Sequence, residues 1–356
     1  MFPYLLCLLC AVVLVVSCGG QTVDRNITYG YSISEDAVTG WHIVTLTADN
    51  SGDPKNSIAA SIATEGGNNM FSCRVGDHEL IDASEDIGEL INGGRGNPIL
   101  FPTPNRVRDA TYVFMGETLK MSFPDETRSH MLHGLVKDDT AWRFKEPEVR
   151  QDGVYFETWY VFDENNPRFP AYPFKCTLTV RYAVKSDRVM IGYEVANQDE
   201  KPLGFGFGLH PFWKAVGGKD KTLIRVDLPY HMEATENLIP TGRIEPVDGT
   251  VYDLSEPRPV SELRLDDVYL GATPESAIRV IFKAIGLEIH QRATEDFTHI
   301  VVYTPDREYF CVENQTCSTD AHNLYARGLI EESHLQIVEP GENTGGHVDY
   351  IFSWNE

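Results

Sequence analysis

Six polar residues stand in unusually apolar or glycine- and proline-rich surroundings, and their types are those that transfer protons or bind polar ligands. Histidine and glutamate act as general acids and bases, whereas arginine, asparagine and aspartate hold ligands by hydrogen bonds. The six are Asn105 and Arg106 of "PTPNRVRD", His133 of "HMLHGLV", His210 of "GLHPFW", Asp266 of "RLDDVYLG" and Glu313 of "FCVENQTC". Taken alone, each is explained as simply by structure, because buried polar groups usually find structural partners.

The elements that must position these residues are β-strands. Apolar and polar residues alternate in "TLTVRYAVKSDRVMIGYEVAN" on both sides of Ser186 and Asp187, which predicts a hairpin. The same alternation recurs in "GWHIVTLTADN", "GVYFETWYVFD", "IRVIFKAIGLEIHQ" and "FTHIVVYTPDREYFCVE". Helical periodicity is scarce, so we predict an all-β fold with antiparallel sheets and few helices, either a sandwich or a barrel.

The run "LGFGFGLHPFW", residues 203–213, leads directly to His210 and places glycines at 204, 206 and 208. Glycine within a strand often marks a bulge or a place where a ligand or another backbone comes close. We therefore expect these glycines to let the strand curve or approach a ligand, and Pro211 to fix the direction of His210. The alternative is that one face of the run packs a core and that His210 is a structural residue.

Composition limits the size and the partners of the fold. The chain has 356 residues, of which 42% are hydrophobic, and no Pro-rich or low-complexity linker divides it. We therefore expect a single domain over residues 31–356, preceded by a short linker at 19–30. The 30 Lys and Arg residues against 53 Asp and Glu residues give a formal charge of −23. Such a charge repels phosphate backbones, so nucleic acid is excluded as a partner.

The first 18 residues are typical of an export signal. An apolar run from Leu5 to Val16 is too short to span a bilayer as a helix but has the length of a signal-peptide core. The "VVSC" ending at Cys18 is similar to a bacterial lipobox, although the segment before the apolar run has no Lys or Arg. We expect an exported lipoprotein, periplasmic or at the cell surface, with lipid attached at Cys18. An uncleaved anchor and ordinary secretion are the alternatives.

Signals for cofactors and metals are missing from the sequence. No GxGxxG follows a strand, and "VGGKDKT" has Asp220 where a phosphate-binding loop needs Ser or Thr. His130 and His133 are three residues apart, but nothing nearby supplies a third and fourth metal ligand. We therefore predict no cofactor and no metal. Four further cysteines, at 73, 176, 311 and 317, are either paired in an oxidising compartment or free and buried.

The order of the motifs resembles the aldose 1-epimerase (galactose mutarotase) family. Asn-Arg, His-Gly, His-Pro-aromatic, Asp-x-x-aromatic and a Glu after an apolar strand follow one another between "GGRGNPILFPTPNR" and "PGENTGGHVDYIFSW". The resemblance implies a galactose-mutarotase-like β-supersandwich that converts a free aldohexose, such as glucose or galactose, between its α and β anomers without a cofactor. By motif, His210 would be the general acid and Glu313 the general base. Asn105, Arg106, His133 and Asp266 would hold the sugar hydroxyls.

The chemistry of anomer exchange explains these residue types. A base removes the proton of the C1 hydroxyl while an acid protonates the ring oxygen; the ring opens, the C1–C2 bond turns, and the steps reverse. A glutamate with a pKa of about 4.3 is ionised at neutral pH, whereas a histidine with a pKa of about 6.5 needs a negative neighbour to remain protonated. We therefore expect Glu313 to keep His210 protonated.

Some positions have competitors in the sequence. Asp266 and Asp267 are consecutive, so only one of them faces the site from a strand, and Tyr269 three residues later favours Asp266. Glu342 of "EPGEN" competes with Glu313 but is typical of a turn before the last strand. Aromatic side chains that would cover the apolar face of a sugar are Trp142, Phe212 and Trp213.

The substrate remains open at this stage. "VENQTCSTDAHN" replaces the Leu-Glu-Thr-Gln typical of galactose mutarotases and is closer to the broader epimerase-like branch. One alternative is a hexose-6-phosphate epimerase, in which Arg95, Arg108 or Arg128 would contact the phosphate. Another is a non-catalytic carbohydrate-binding domain, which does not require the His–Glu pair. A lyase or hydrolase is a third; a hydrolase normally needs two catalytic carboxylates, and the sequence offers one.

Overall fold

Antiparallel strands form nearly all of the regular structure in a computed structural model that describes residues 26–121 and 130–355. In chain order the strands are β1 (Ile27–Glu35), β2 (His42–Asn50), β3 (Ile58–Ala63), β4 (Asn69–Val75), β5 (His78–Glu79), β6 (Ile99–Leu100), β7 (Arg106–Val107), β8 (Thr111–Phe114), β9 (Glu117–Lys120), β10 (Met131–Leu132), β11 (Arg143–Phe144), β12 (Glu148–Arg150), β13 (Gly153–Phe162), β14 (Cys176–Val184), β15 (Arg188–Asn197), β16 (Leu203–Phe205), β17 (Gly208–Leu209), β18 (Phe212–Lys214), β19 (Thr222–Val226), β20 (Tyr230–Ala234), β21 (Pro240–Pro246), β22 (Leu254–Pro259), β23 (Asp266–Leu270), β24 (Ile278–Phe282), β25 (Leu287–Ala293), β26 (His299–Tyr303), β27 (Tyr309–Gln315), β28 (Gln336–Val338) and β29 (Asn343–Trp354). The α-helices in these residues are α1 (Ala321–Ala326) and α2 (Ile330–Ser333).

Three sheets account for most of the strands. The N-terminal sheet has the order β1-β2-β3-β4-β5. A ten-stranded sheet follows the order β11-β13-β14-β15-β29-β25-β24-β19-β22, with β12 beside β13. An eight-stranded sheet follows the order β21-β20-β23-β26-β27-β17-β6, with β18 beside β27. Short two-stranded ribbons pair β7 with β10, β8 with β9 and β16 with β28. The fold class is therefore as predicted, an antiparallel β-sandwich with few helices.

The local pairing follows the alternation of the sequence. β14 and β15 form the predicted hairpin, in which Val184 pairs with Val189 across the turn that contains Ser186 and Asp187. Burial alternates along β13 and β14, because successive side chains of a strand point to opposite faces. β1 begins at Ile27 and pairs with β2 along its whole length, so the end of the 19–30 segment, treated as a linker from the sequence, belongs to the first sheet.

One contiguous hydrophobic core includes residues of all three sheets, for example Leu46 of β2, Leu178 of β14 and Val312 of β27. Its largest fully buried side chain is Trp213 of β18. Burying a large apolar side chain contributes about 1.5–3 kcal/mol, so this shared core ties the sheets into a stable support for the loops. Neither described helix has the length and apolar content that would be needed to cross a membrane.

Candidate active site

All six residues singled out from the sequence line one cavity of about 310 Å³ on the eight-stranded sheet. The floor is formed by β18, β23, β26 and β27, and the β7–β10 ribbon covers one side. Ligand pockets commonly measure about 300–1,000 Å³, so this cavity has the size for a small ligand. The lining residues predicted from the sequence are Asn105, Arg106, His133, His210, Asp266 and Glu313.

The register of the sheet places His210 opposite Glu313. Gly208 of β17 pairs with Gln315 of β27, and Phe212 of β18 pairs with Cys311. His210 therefore lies at the position that faces Glu313, and directly opposed residues of antiparallel strands project to the same side. Nε2 of His210 lies 3.2 Å from Oε1 of Glu313. Residues about one hundred positions apart are thus brought into contact by strand pairing alone.

Neighbouring groups hold both side chains of this pair. The His210 ring stacks on Phe212, with ring centroids 4.5 Å apart and planes 11° from parallel, and meets the ring of His133 edge-on at 4.8 Å. The amide Nε2 of Gln315 donates a hydrogen bond of 3.0 Å to Oε2 of Glu313. One carboxylate oxygen is therefore held by Gln315 while the other faces His210, which fixes the carboxylate plane relative to the ring.

Burial shifts the pKa values of both members of the pair toward their uncharged forms. His210 is 6% and Glu313 1% exposed. Burial lowers the pKa of His210 to about 3 and raises the pKa of Glu313 well above its usual value, an effect that nearby Asp266 reinforces. Without substrate, both shifts favour the uncharged forms, a neutral imidazole on His210 and a protonated carboxyl on Glu313. These directions run against the expectation from the sequence, in which an ionised glutamate keeps the histidine protonated, because burial disfavours both charges.

Arg106, Asn105 and Asp266 form a polar group at another side of the cavity. Nη1 of Arg106 donates a 3.0 Å hydrogen bond to Oδ1 of Asn105, and its Nη2 lies 3.6 Å from Oδ2 of Asp266. The backbone N–H of His133 donates to the carbonyl of Asn105 over 2.7 Å, which ties the β7 and β10 segments together. Burial raises the pKa of Asp266 although Arg106 opposes the shift. The group offers both donors and acceptors to a ligand rich in hydroxyls.

Gly206, in the run that precedes His210, is needed for close contact with the protein's own chain. A Cβ atom at Gly206 would overlap Sγ of Cys317 and lie 2.7 Å from Cδ of Pro104. The backbone N–H of Gly206 also donates to the carbonyl of Pro102 over 2.7 Å. The expected approach to a ligand is therefore corrected at Gly206: the backbone between β16 and β17 lies directly against the 102–106 segment, which carries Asn105 and Arg106.

Several lining residues were missed or left undecided by the sequence analysis. Phe212 lines the cavity as expected, but Trp142 and Trp213 are buried in the core, at 4% and 0% exposure. Tyr303 and Tyr309, at the two ends of the β26–β27 connection, line the cavity and escaped notice. The sequence pattern that could have indicated these two residues is the tyrosine at each end of "YTPDREY", which connects two strands of alternating apolar and polar residues.

The competing residues of the sequence analysis fall into distinct places. Glu342 is exposed in the turn before β29 and does not line the cavity. Arg108 lies with its Nε 3.6 Å from Oδ2 of Asp320, away from the cavity lining, whereas Arg95 lines the cavity and forms an ion pair with Asp82. The guanidinium carbon of Arg95 stands 5.7 Å from the centre of the Tyr309 ring. Arg128 and Cys18 lie outside the described residues.

A wider groove of about 1150 Å³ lies against the ten-stranded sheet, among β24, β25 and β29. None of the six predicted residues line it. Two of its basic groups are engaged locally, since Nη1 of Arg279 and Nε2 of His290 lie 3.3 Å and 3.1 Å from Oε1 of Glu288. We therefore place the candidate active site in the smaller cavity, where an acid and a base are in contact.

The four cysteines of the described residues, Cys73, Cys176, Cys311 and Cys317, are all free and buried. Of the two possibilities left open by the sequence, the structure has the free thiols. Cys311 is of particular interest because it is two residues from Glu313 on β27, and side chains two positions apart on a strand share a face.

Comparison with known sequences points to one family. A sequence model described as aldose 1-epimerase matches residues 52–350. Galactose mutarotase of Homo sapiens is 24% identical over 173 residues, which are 47% of this chain and 47% of the human protein. The uncharacterized protein YihR of Escherichia coli (strain K12) is 21% identical over 242 residues, or 66% of this chain and 74% of that protein. The chain thus aligns with about half the length of the mutarotases it matches.

Solved structures show the same fold. A galactose mutarotase-like protein from Clostridium acetobutylicum superposes with a TM-score of 0.79 at 15% identity, covering 93% of this chain and 100% of that one. A galactose 1-epimerase from Lactobacillus acidophilus superposes with a TM-score of 0.72 at 14% identity, again covering 93% and 100%. The predicted galactose-mutarotase-like β-supersandwich is confirmed by these likenesses.

Proposed function

Residues 52–350, which are most of the chain, match the family's sequence model, so the chain belongs to the aldose 1-epimerase family, and we propose that it interconverts the α and β anomers of a free aldohexose. The observation that carries this proposal is the contact between His210 and Glu313, 3.2 Å apart in a cavity of about 310 Å³. The ring oxygen and the C1 hydroxyl of an aldopyranose are bonded to the same carbon. The acid and the base that serve them must therefore lie close together, as these two groups do.

In the proposed reaction, the pair uses its one proton and returns it. With the proton on Nε2 of His210, the carboxylate of Glu313 takes the proton of the C1 hydroxyl while His210 protonates the ring oxygen. The C1–O5 bond breaks and the C1 aldehyde forms, which leaves Glu313 protonated and His210 neutral. This is the distribution that burial favours in the substrate-free site. After rotation about C1–C2, the reverse transfers close the ring on the other face.

The remaining polar residues would bind the sugar. Arg106 and Asn105 offer hydrogen-bond donors, and Asp266 offers an acceptor beside them. The rings of Phe212, Tyr303 and Tyr309 supply apolar surface in the same cavity for the C–H face of a sugar. These roles, like the catalytic ones, are part of the proposal.

A hexose 6-phosphate is the second candidate substrate, favoured by the position of Arg95 in the cavity lining. Guanidinium groups bind phosphate through paired hydrogen bonds. The guanidinium of Arg95 already forms an ion pair with Asp82, however, so a phosphate would have to displace the Asp82 carboxylate. The neutral aldohexose is therefore the preferred substrate.

The test is a polarimetric assay on freshly dissolved α-glucose, α-galactose and a hexose 6-phosphate, each compared with its spontaneous rate. The proposal expects acceleration with at least one neutral aldohexose. Acceleration of the phosphate alone would favour the second candidate. Binding of sugars without acceleration would identify a carbohydrate-binding domain, and release of the aglycone from a nitrophenyl glycoside would identify a hydrolase.

We also propose that the protein is exported and anchored by lipid at Cys18. The support is the short apolar run of the first 18 residues and its "VVSC" ending. Two acyl chains hold a protein at a membrane far more firmly than one, so a diacylated N-terminus would outweigh the acidic charge of the chain.

A further inference from the structure

A buried thiol lies next to the cavity, close to the proposed acid and base. Cys311 pairs with Phe212 on β18 and with Tyr303 on β26, and both of these neighbours line the cavity. Cys311 and Glu313 are two positions apart on β27 and share a face, and His210 lies opposite Glu313. One ligand atom from each of His210, Cys311 and Glu313 lies within 4.8 Å of the other two.

These three side chains are a donor set that suits zinc. Zinc binds thiolate, imidazole and carboxylate ligands at about 2.0–2.3 Å, and catalytic zinc sites have three protein ligands and one open position. In tetrahedral geometry such bond lengths separate the ligand atoms by roughly 3.5 Å. Because the ligand atoms lie within 4.8 Å of one another, their separations need to close by at most about 1.3 Å, which rotation of side chains can supply. Magnesium and calcium prefer oxygen ligands, so the thiol and the imidazole disfavour them.

The position of His210 suits a metal ligand. Its Nε2 lies 3.2 Å from Oε1 of Glu313, which is close to the separation of two ligand atoms in a zinc site. Nδ1 of the same ring is buried and has no hydrogen-bond partner among the described residues, so no hydrogen bond at Nδ1 opposes a small rotation of the ring.

We propose that His210, Cys311 and Glu313 form a zinc site that inhibits the enzyme. Zinc bound there occupies the imidazole and the carboxylate that the reaction needs, so the loaded protein has no acid and no base. Cys311 has no part in the proton transfers. It supplies a thiolate as the third metal ligand, which a His–Glu pair alone would lack. The inhibition, though not the metal binding, rests on the proposed function.

The experiment measures zinc binding and activity separately on the full chain under reducing conditions. Titration calorimetry with zinc chloride and the shift of the melting temperature report binding without reference to catalysis, because a ligand that binds the native state stabilises it. Cobalt(II) serves as a second probe, since a thiolate ligand gives a sulfur-to-cobalt charge-transfer band. The variants are Cys311→Ser and Cys311→Ala, with Cys176→Ala as the matched control, a buried free thiol on β14 outside the cluster.

The proposal expects one zinc ion per wild-type chain, loss of turnover on binding, and the charge-transfer band with cobalt. Both Cys311 variants should keep their metal-free turnover, lose the band and bind zinc at least about tenfold more weakly, whereas Cys176→Ala should match the wild type. Zinc affinity unchanged by both Cys311 variants would overturn the site. Zinc binding through Cys311 in a chain without mutarotase activity would leave the site standing and refute the proposed function instead.

Discussion

Replacing Gly206 by alanine tests the conclusion that this glycine lets the backbone between β16 and β17 lie against the segment that carries Arg106. The added Cβ would overlap Sγ of Cys317 and lie 2.7 Å from Cδ of Pro104, whereas carbon atoms in contact are ordinarily about 3.5–4.0 Å apart. Neither neighbour is the free end of a long side chain, so the strand or the 102–106 segment must move. Overpacking of this kind costs about 1–3 kcal/mol.

The expected loss is measurable in both stability and activity. With an unfolding entropy of about 2.1 cal/mol/K per residue, 1 kcal/mol corresponds to about 1.4 °C in a chain of this size, so the melting temperature should fall by about 1–4 °C. Displacement of the segment by about 1 Å would also lower kcat/KM, by up to about 10²-fold. Urea unfolding and the polarimetric assay measure the two effects.

The control and the rescue decide the interpretation. Gly192→Ala is the control, because its Cβ would lie 3.4 Å from the nearest atom, the carbonyl oxygen of Gly346, and its effect on stability should stay within about 0.5 kcal/mol. Adding Cys317→Ala to Gly206→Ala removes one of the two overlaps and should restore part of the stability, a non-additive effect typical of residues in contact. A Gly206→Ala protein with wild-type stability and kcat/KM would refute the reasoning.

Three further predictions concern pH, binding and export. The profile of kcat/KM against pH should be broad, because the pair keeps one proton between the lowered pKa of His210, about 3, and the raised pKa of Glu313. Below the pKa of His210 a second proton removes the base, and above the pKa of Glu313 the loss of the proton removes the acid. A fall in kcat/KM on the acid side near pH 6.5 would contradict this prediction. Arg106→Met should raise KM about 10- to 100-fold, because it removes about 1.5–3 kcal/mol of charged hydrogen bonding. The control, Arg108→Met, alters a residue outside the cavity and should leave KM within about twofold of the wild type. Equal KM values for the two variants would exclude Arg106 from sugar binding. Cys18→Ser should abolish labelling by a radioactive fatty acid and release the protein from membranes, and unchanged labelling would disprove the lipid anchor.

The sequence was sufficient for the fold class and for the identity of the six cavity residues, because both rest on local patterns. Alternation with a period of two marks β14 and β15 and their turn, and the register then follows from keeping Val184 and Val189 buried. The five motifs that contain these residues are short, and each of them alone is explained as simply by structure. Their convergence on one cavity followed from their order and from the family it resembles.

Other features depend on contacts between distant segments and could not be predicted. That His210 faces Glu313 follows from the register of β17 and β18 on β27, which no local pattern of "GLHPFW" encodes. The pKa shifts of the pair depend on how deeply both groups are buried, so the ordinary pKa values of histidine and glutamate in water do not predict their direction. The role of Gly206 needed the position of Pro104, a residue about one hundred positions earlier.

The most direct test of the account is the turnover of Glu313→Gln compared with its affinity for the sugar. The substitution keeps the shape and the hydrogen-bonding capacity of the side chain but removes the carboxylate that exchanges a proton with His210. A positioned acid or base contributes about 10²- to 10⁴-fold in rate, or roughly 3–5 kcal/mol of barrier. We predict a fall in kcat of that size, with sugar affinity changed by only a small factor and with His210→Asn causing a similar, non-additive loss. A Glu313→Gln protein that equilibrates a freshly dissolved aldose at nearly the wild-type rate would contradict the proposed mechanism.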